Sequence, residues 1–267
     1  MVKALVIRAA GTNCDHEVMR GFELAGAKAE RVHLNRLIEE PQRIDDFDII
    51  MLPGGFAHGD DIASGRIFAM HLRERLYEPL YRAVARGACI GGICNGFQVL
   101  VQVGLVPGPL EGERLSSEAP PPQRLSLTVN QHARYMDCWT PMMIESASRC
   151  VWTRGLEEYP AETMRFPSGH GEGRLAADSE ATLDALERHG QVALRYGENF
   201  NGSARAIAGV CDLSGRIFGM MPHPDRFLDW NRHPFWTRLP RSVRRGPTPG
   251  LRLFLNGVEA ASRATVG

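Results

Sequence analysis

Short apolar runs that each end in a glycine-rich turn recur along the first third of the chain. Residues 4–7, 47–52 and 89–90 are such runs, and stretches with helical spacing separate them. Continuous apolar runs of this length are typical of strands buried on both faces, and their alternation with helices favours a parallel sheet. We therefore predict an α/β fold with an open, mostly parallel sheet and helices on both faces. Ligands of such sheets bind beyond the carboxyl ends of the strands, where these turns lie.

The third of these turns places a cysteine at a sharp bend. Cys94 lies between Gly92 and Gly96, after a β-prone run and before a stretch with helical spacing. Glycines are needed two residues before and after such a bend, because a side chain there would crowd the neighbouring backbone. A thiol at the start of a helix is favoured as the thiolate by the helix dipole. A buried cysteine that only packs is the other interpretation of this segment alone.

A thiol nucleophile needs a base, and the base needs a group that orients it. His223 lies between two prolines at the end of an apolar run, and Asp225 follows two residues later. Prolines restrict the backbone, and side chains two residues apart lie on the same side of an extended chain. The pair can therefore supply base and orienting carboxylate, although a structural histidine beside an aspartate is the commoner interpretation of this segment alone.

Composition excludes several other classes of function. Basic and acidic residues number 31 each among 267, so we expect no nucleic-acid or membrane partner. The cysteines form no C-x-x-C pair, and from the isolated run Cys14-Asp15-His16 we expect no metal site. No apolar run reaches the roughly 18 residues of a membrane span, and the N-terminus resembles a strand rather than a signal peptide. We expect a cytoplasmic protein.

From about residue 125 onward the pattern changes to shorter alternating runs, which predict an antiparallel elaboration of the parallel core. The segment 166–173 ends this part, and its glycines predict a turn. We expect one domain over residues 1–267, with a core at about 3–230 and a C-terminal extension at about 231–267.

Several segments together resemble one family of enzymes. They lie at residues 11–15, 53–56, 92–98, 170–173, 196–197, 201–203 and 221–226. In content and order they resemble the class I, triad-type glutamine amidotransferases, and most of all the glutaminase subunits of phosphoribosylformylglycinamidine synthases. The resemblance covers the chain from about residue 3 to about residue 230. It implies a flavodoxin-like sheet.

The resemblance implies a role for many of the matched positions. Cys94 would attack the side-chain amide of glutamine, His223 would act as base and then as acid, and Asp225 would orient His223. The backbone N–H groups of Gly54, Gly55 and Asn95 would form the oxyanion hole. Gln98 would contact bound glutamine. Family motifs without an assigned role are matched at Asn13, Asp15, His170 and Glu172.

A partner is implied as well. Ammonia would pass to a large ATP-dependent synthetase subunit in the fourth step of purine biosynthesis, with a small third subunit in the same complex. ATP and Mg²⁺ would then belong to the synthetase, and this chain would need no cofactor. The sequence contains no P-loop, which agrees with that division.

One position departs from the family pattern. Asp225 stands where the family has glutamate, and its side chain is one methylene shorter. We expect the carboxylate to lose direct reach to the imidazole unless the backbone shifts or a water bridges. This leaves two other functions open: a non-catalytic partner that regulates the synthetase, or another cysteine enzyme of the same superfamily. Segments 111–165 and 232–250 also look longer than in the compact bacterial form.

Overall fold

The computed structural model describes residues 1–264, and its centre is a sheet of nine strands. In spatial order these are β2 (Lys28–His33), β1 (Lys3–Arg8), β3 (Ile49–Leu52), β4 (Cys89–Ile93), β11 (Ile217–Met220), β10 (Ile207–Cys211), β9 (Val192–Tyr196), β6 (Met136–Ile144) and β7 (Arg165–His170). A separate antiparallel pair joins β5 (Leu125–Thr128) to β8 (Arg174–Ala177).

The strands from β2 to β11 pair in parallel, and those from β11 to β7 pair antiparallel. Parallel pairing is found where helices cover both faces, whereas the hairpin of β10 and β11 begins the antiparallel part. The predicted fold class, a parallel sheet with an antiparallel elaboration, is confirmed.

The helices are α1 (Asp15–Leu24), α2 (Leu34–Glu39), α3 (Arg66–His71), α4 (Tyr77–Ala85), α5 (Asn95–Val103), α6 (Glu180–Arg188) and α7 (Pro249–Ala264). A π-helical turn, Leu72–Leu76, joins α3 to α4. Among the residues that the structure describes, no helix has the length and apolar content needed to cross a bilayer.

Two successive residues of β11 show how both faces are covered. The Phe218 ring stacks on Trp152, with centroids 6.4 Å apart, and a Cβ at Gly257 of α7 would lie against the same indole. The next residue, Gly219, lies directly under the ring of Phe97 in α5. Because successive side chains point to opposite faces of a strand, α7 and α5 lie on opposite sides of the sheet.

The C-terminal helix packs against the first helix of the chain. The rings of Phe254 in α7 and Phe22 in α1 meet edge to face with centroids 5.0 Å apart, and both are fully buried. Gly21 leaves room for this contact, since a Cβ there would lie 2.8 Å from the Phe254 ring. The division into a core and a C-terminal extension stays a prediction.

Candidate active site

Cys94 occupies a strained bend between β4 and α5. Its φ is +52° and its ψ is −107°, a conformation that side chains rarely adopt. Its N–H donates to Met220 O of the adjacent strand at 2.8 Å. A Cβ on Gly96 would overlap Leu52 O, and one on Gly92 would lie 2.6 Å from Gly96 O. The backbone therefore has the predicted strand–bend–helix form, and both glycines are required by packing.

His223 and Asp225 follow the neighbouring strand β11 and contact each other directly. Asp225 Oδ1 lies 3.2 Å and Oδ2 3.5 Å from His223 Nδ1, and both side chains are buried. Asp225 thus keeps direct reach to the imidazole, which we expected only with a shift of the backbone or a bridging water. The chain turns immediately after the histidine into a 3-10 turn, Pro224–Arg226, and this turn brings the shorter carboxylate back to the ring. The backbone N–H of His223 also donates to Pro167 O at 2.7 Å.

The surroundings of His223 favour its protonated form. Burial opposes protonation. The negative charges of Asp225 and Cys94 outweigh it, together with the hydrogen bond that Asp225 accepts from the ring and the nearby Cys14 sulfur, and raise the pKa of His223 well above its usual value. An imidazole of this kind can hold the proton of a neighbouring thiol as an ion pair.

Gly54 is the point at which the reactive groups meet. A Cβ built on it would lie 2.6 Å from His223 Cε1, 3.4 Å from Cys94 Cβ and 3.4 Å from Cys14 Sγ. The Cys94 thiol itself donates to Gly169 O at 3.7 Å. The two residues predicted as nucleophile and base are therefore neighbours, and glycine at position 54 is a condition of their approach.

The turn that contains Gly54 and Gly55 is fixed by the loop after β1. Thr12 and Gly55 form an isolated antiparallel bridge, in which Phe56 N–H donates to Gly11 O at 3.0 Å and Asn13 N–H to Gly54 O at 3.4 Å. This pattern leaves the Gly55 N–H outside the ladder. The Asn95 N–H, at the first position of α5, has no acceptor within its helix. Neither of these two N–H groups is thus used by the bridge or by the helix.

The Gln98 side chain bonds two other residues of the site. Its Oε1 accepts from Asn95 Nδ2 at 2.9 Å, and its Nε2 donates to Glu172 O at 2.5 Å. The Asn95 side chain also bonds Ala57 N–H and Asp60. Gln98 is buried, and its amide is engaged by these partners. Its contact with glutamine stays a prediction.

His170 and Glu172 lie at the end of β7, and the predicted turn begins later than expected. The segment 165–170 pairs with β6 as far as Met136↔His170, so that His170 is a strand residue rather than part of a turn. The following Glu172 accepts from Ser64 N–H at 3.2 Å. Pro167 and Gly169 pair with residues of the long strand β6, although the local sequence alone indicates a turn at these positions.

His170 predicts a pH dependence of stability. Its Nδ1 bonds Asn130 Oδ1 at 3.2 Å, and burial lowers its pKa from 6.5 to about 4, with the His223 charge acting in the same direction. The contribution of neutral His170 to the free energy of unfolding is fully present above pH 6.5, and it is lost as the pH falls towards 4. Over that interval, urea unfolding should show the wild type losing about 3 kcal/mol more than His170→Asn.

The control is Gly246→Ala, which leaves every titratable group in place and adds a Cβ where nothing lies within 4 Å. We expect this variant to keep the wild-type dependence on pH. If His170→Asn lost as much stability as the wild type between the two pH values, the buried neutral state of His170 would be contradicted.

Sequence reasoning missed Cys14 and Arg226 as members of the site. The Cys14 thiol donates to Asn13 Oδ1 at 3.2 Å, and Arg226 Nη2 donates to Cys14 Sγ at 3.2 Å. Cys14 is fully buried, and it follows a strand whose carboxyl end lies at the same edge of the sheet as Cys94. The position of Cys14 after a predicted strand, at the edge of the sheet where ligands bind, is the sequence feature that could have identified it.

Asp15 lies away from these groups. It is buried and pairs with Arg31 at 3.0 Å and with Arg8 at 3.5 Å. His16 Nε2 also contacts Arg31, at 2.5 Å. The run of Cys14, Asp15 and His16 therefore does not converge on one point.

Among the described residues, Cys14, His223 and Asp225 place potential metal-ligand atoms within 4.8 Å of one another. His223 and Asp225 already bond each other, and the Arg226 guanidinium lies 3.2 Å from the Cys14 sulfur. This positive charge disfavours a cation at the three atoms.

Two partly exposed aromatic side chains border the site. Phe56 and Tyr135 are 45% and 55% exposed, and their rings lie 6.5 Å apart. Tyr135 Oη would be 3.1 Å from a Cβ at Gly169, the residue whose carbonyl accepts from Cys94. Tyr135 therefore lies next to the residue that the thiol contacts, and Phe56 lies beside Tyr135.

Comparison with known proteins gives consistent matches. Residues 1–259 match the CobB/CobQ-like glutamine amidotransferase domain. The phosphoribosylformylglycinamidine synthase subunit PurQ of Dehalococcoides mccartyi is 38% identical over 266 residues, which cover 97% of this chain and 98% of that protein. The corresponding protein of Treponema denticola is 38% identical over 240 residues, which cover 84% and 87%.

Solved structures agree with these matches. The structure of PurLQS from Thermotoga maritima aligns with a TM-score of 0.70 and 28% identity, covering 97% of this chain and 98% of that chain. A putative GMP synthase protein from Thermoplasma acidophilum shares the fold, with a TM-score of 0.53 and 13% identity over 100% of this chain and 96% of that chain.

Proposed function

This chain belongs to the family of CobB/CobQ-like glutamine amidotransferases, and from that membership we propose that it is the glutaminase subunit of a phosphoribosylformylglycinamidine synthase. It hydrolyses glutamine to glutamate and ammonia, and the ammonia serves the amination step of purine biosynthesis. The observation that supports this most directly is the meeting of Cys94 and the His223–Asp225 pair around Gly54.

The proposed reaction begins with proton transfer from Cys94 to His223. The Cys94 sulfur then attacks the side-chain amide carbon of glutamine, and the N–H groups of Asn95, Gly54 and Gly55 stabilise the negative oxygen. Collapse of this intermediate breaks the C–N bond, and His223 gives its proton to the leaving ammonia. A water that passes a proton to His223 then cleaves the glutamyl thioester, which releases glutamate and restores the thiol.

Each proposed role has a geometric support. Asp225 holds His223 Nδ1, so the other ring nitrogen is the one available for reaction. The oxyanion donors are backbone groups held by the sheet and by the bridge at Gly55, so they need no rearrangement during the reaction. Removal of one such donor typically raises the barrier by about 2.7–4 kcal/mol.

The other matched positions act through the same surroundings. Gln98 contacts bound glutamine, or holds the turn that does, through its bond to Glu172 O. Asn13 and His170 support the catalytic turn and the end of β7 through their bonds to Cys14 and to Asn130. No step in this scheme requires a cofactor on this chain.

The proposed partner is a large synthetase subunit that binds ATP and Mg²⁺ and consumes the ammonia. A complex of this kind is named in the PurLQS structure from Thermotoga maritima, which this chain resembles over 97% of its length. We extend the proposal to a small third subunit in the complex and to a cytoplasmic location.

The test is an assay of the complete complex with glutamine labelled by ¹⁵N in the amide group. With ATP, Mg²⁺ and formylglycinamide ribonucleotide present, the label should appear in formylglycinamidine ribonucleotide, with one glutamate formed for each product. A complex that forms no glutamate would refute the proposed activity. If such a complex still used ammonium salts faster than the synthetase alone, the chain would be a non-catalytic regulatory partner.

A further inference from the structure

A second thiol lies close to the proposed catalytic histidine. Cys14 Sγ and Cys94 Cβ would each lie 3.4 Å from a Cβ at Gly54, and His223 Cε1 lies beside the same point. The ligand atoms of Cys14, His223 and Asp225 lie within 4.8 Å of one another, and all three residues are buried. The reaction proposed above gives Cys14 no task, although its sulfur lies in the same cluster as the imidazole and the orienting carboxylate.

The hydrogen bonds of Cys14 leave its sulfur as an acceptor facing this cluster. Its own proton goes to Asn13 Oδ1 at 3.2 Å, and Arg226 Nη2 donates to the sulfur at 3.2 Å. A thiol sulfur has two lone pairs, so one remains for a donor on the His223 ring. Burial lowers the pKa of His223, the charges of Asp225 and Cys94 raise it, and the Cys14 sulfur, whose distance from the ring nitrogen is within 4.8 Å, acts in the same upward direction.

The backbone of Cys14 has separate anchors. Its N–H donates to Gly54 O at 3.2 Å, and its C=O accepts from Val18 N–H at 3.1 Å in the first turn of α1. A substitution of the side chain leaves both bonds in place. The effect of the sulfur can therefore be tested without loss of the turn that contains Gly54.

We propose that Cys14 is a positioning residue of the reaction. Its sulfur, oriented by Asn13 and Arg226, accepts a hydrogen bond from the protonated ring of His223 and holds that ring beside Cys94. This inference rests on the proposed function, because it assigns the ring the same proton transfers. In this arrangement Asp225 and Cys14 share the proton on Nδ1, so that two acceptors restrain the ring while Nε2 stays available to exchange a proton with Cys94.

The experiment compares Cys14→Ala and Cys14→Ser with the wild type in the complete complex. Loss of an acceptor makes His223 give up its proton at lower pH, so the alkaline limb of kcat should move down by about half a pH unit in Cys14→Ala. We expect kcat to fall about tenfold with KM changed less than about twofold, because the ring is misplaced but substrate contacts remain. Serine is a smaller acceptor and should recover part of both effects.

The matched control is Cys138→Ala, since Cys138 is a partly exposed thiol whose side chain contacts Thr140. It should keep the wild-type pH profile. A Cys14→Ala enzyme with the kcat and the alkaline limb of the wild type would overturn the inference. So would a Cys14→Ser enzyme no better than Cys14→Ala.

A second measurement separates this inference from the proposed function. Alkylation of Cys94 by iodoacetamide, followed by mass spectrometry of its peptide, needs no turnover of glutamine. The rate of alkylation increases with pH at the point where the His223 imidazolium loses its proton. We expect this increase at lower pH in Cys14→Ala than in the wild type. An increase at the same pH in both proteins would refute the role of Cys14 even in an active enzyme. If the increase shifted although the wild type were inactive, only the glutaminase would be refuted.

Discussion

Cys94→Ala is expected to abolish synthesis from glutamine while synthesis from ammonium salts by the same complex continues. The nucleophile is lost, and removal of such a residue typically costs at least about 10³-fold in kcat. The ATP-dependent chemistry belongs to the synthetase in the proposed scheme, so it should not change. The measurement is product formation by the complete complex with each nitrogen source at equal concentrations of the two subunits.

This result discriminates between the functions that the sequence leaves open. Cys138→Ala is the matched control, and it should support both nitrogen sources at the wild-type rate. Glutamine-dependent synthesis above a tenth of the wild-type rate in Cys94→Ala would show that another group attacks the amide. Loss of ammonium-dependent synthesis would show instead that the substitution disturbs assembly of the complex.

Gly96→Ala is expected to destabilise the protein strongly. A Cβ at this position would overlap Leu52 O and lie 2.6 Å from Leu52 C, both of them backbone atoms of β3 that cannot move independently of the sheet. Such an overlap should lower the free energy of unfolding by roughly 4 kcal/mol or more. Urea denaturation followed by circular dichroism measures the change.

The control for this substitution is Gly246→Ala. Gly246 has a φ of −102°, and nothing lies within 4 Å of the place its Cβ would take. Its variant should unfold within about 0.5 kcal/mol of the wild type. A Gly96→Ala protein as stable as this control would show that the close approach of α5 to β3 is not required.

The features that sequence predicted correctly are those determined by neighbouring residues. The apolar runs of β1, β3 and β4 and the glycines around Cys94 specify strands and a bend within a few positions. The antiparallel elaboration predicted from about residue 125 onward follows from the same kind of local pattern. These elements form the scaffold that brings Cys94 and His223 together.

The features that sequence could not give depend on contacts between distant segments. His170 extends β7 because β6 pairs with it, which its own glycines do not indicate. Asp225 reaches His223 because of the path of one short turn. Cys14 belongs to the site because the loop after β1 bonds Gly54. The residues around Cys14 in the sequence do not indicate that His223 lies close to it.

The register of β4 against β11 determines how far apart the two principal reactive groups lie. Ile93 is paired with Met220, and the nucleophile and the base each follow within three residues of that pair. Their spacing is thus as rigid as the centre of the sheet. The loop at residues 56–65 is different, since His58, Asp60 and Ile62 have positive φ and Ile62 is 86% exposed. Within ten residues of Gly55 the chain therefore passes from a centre whose geometry is set by strand register to an exposed loop with strained backbone.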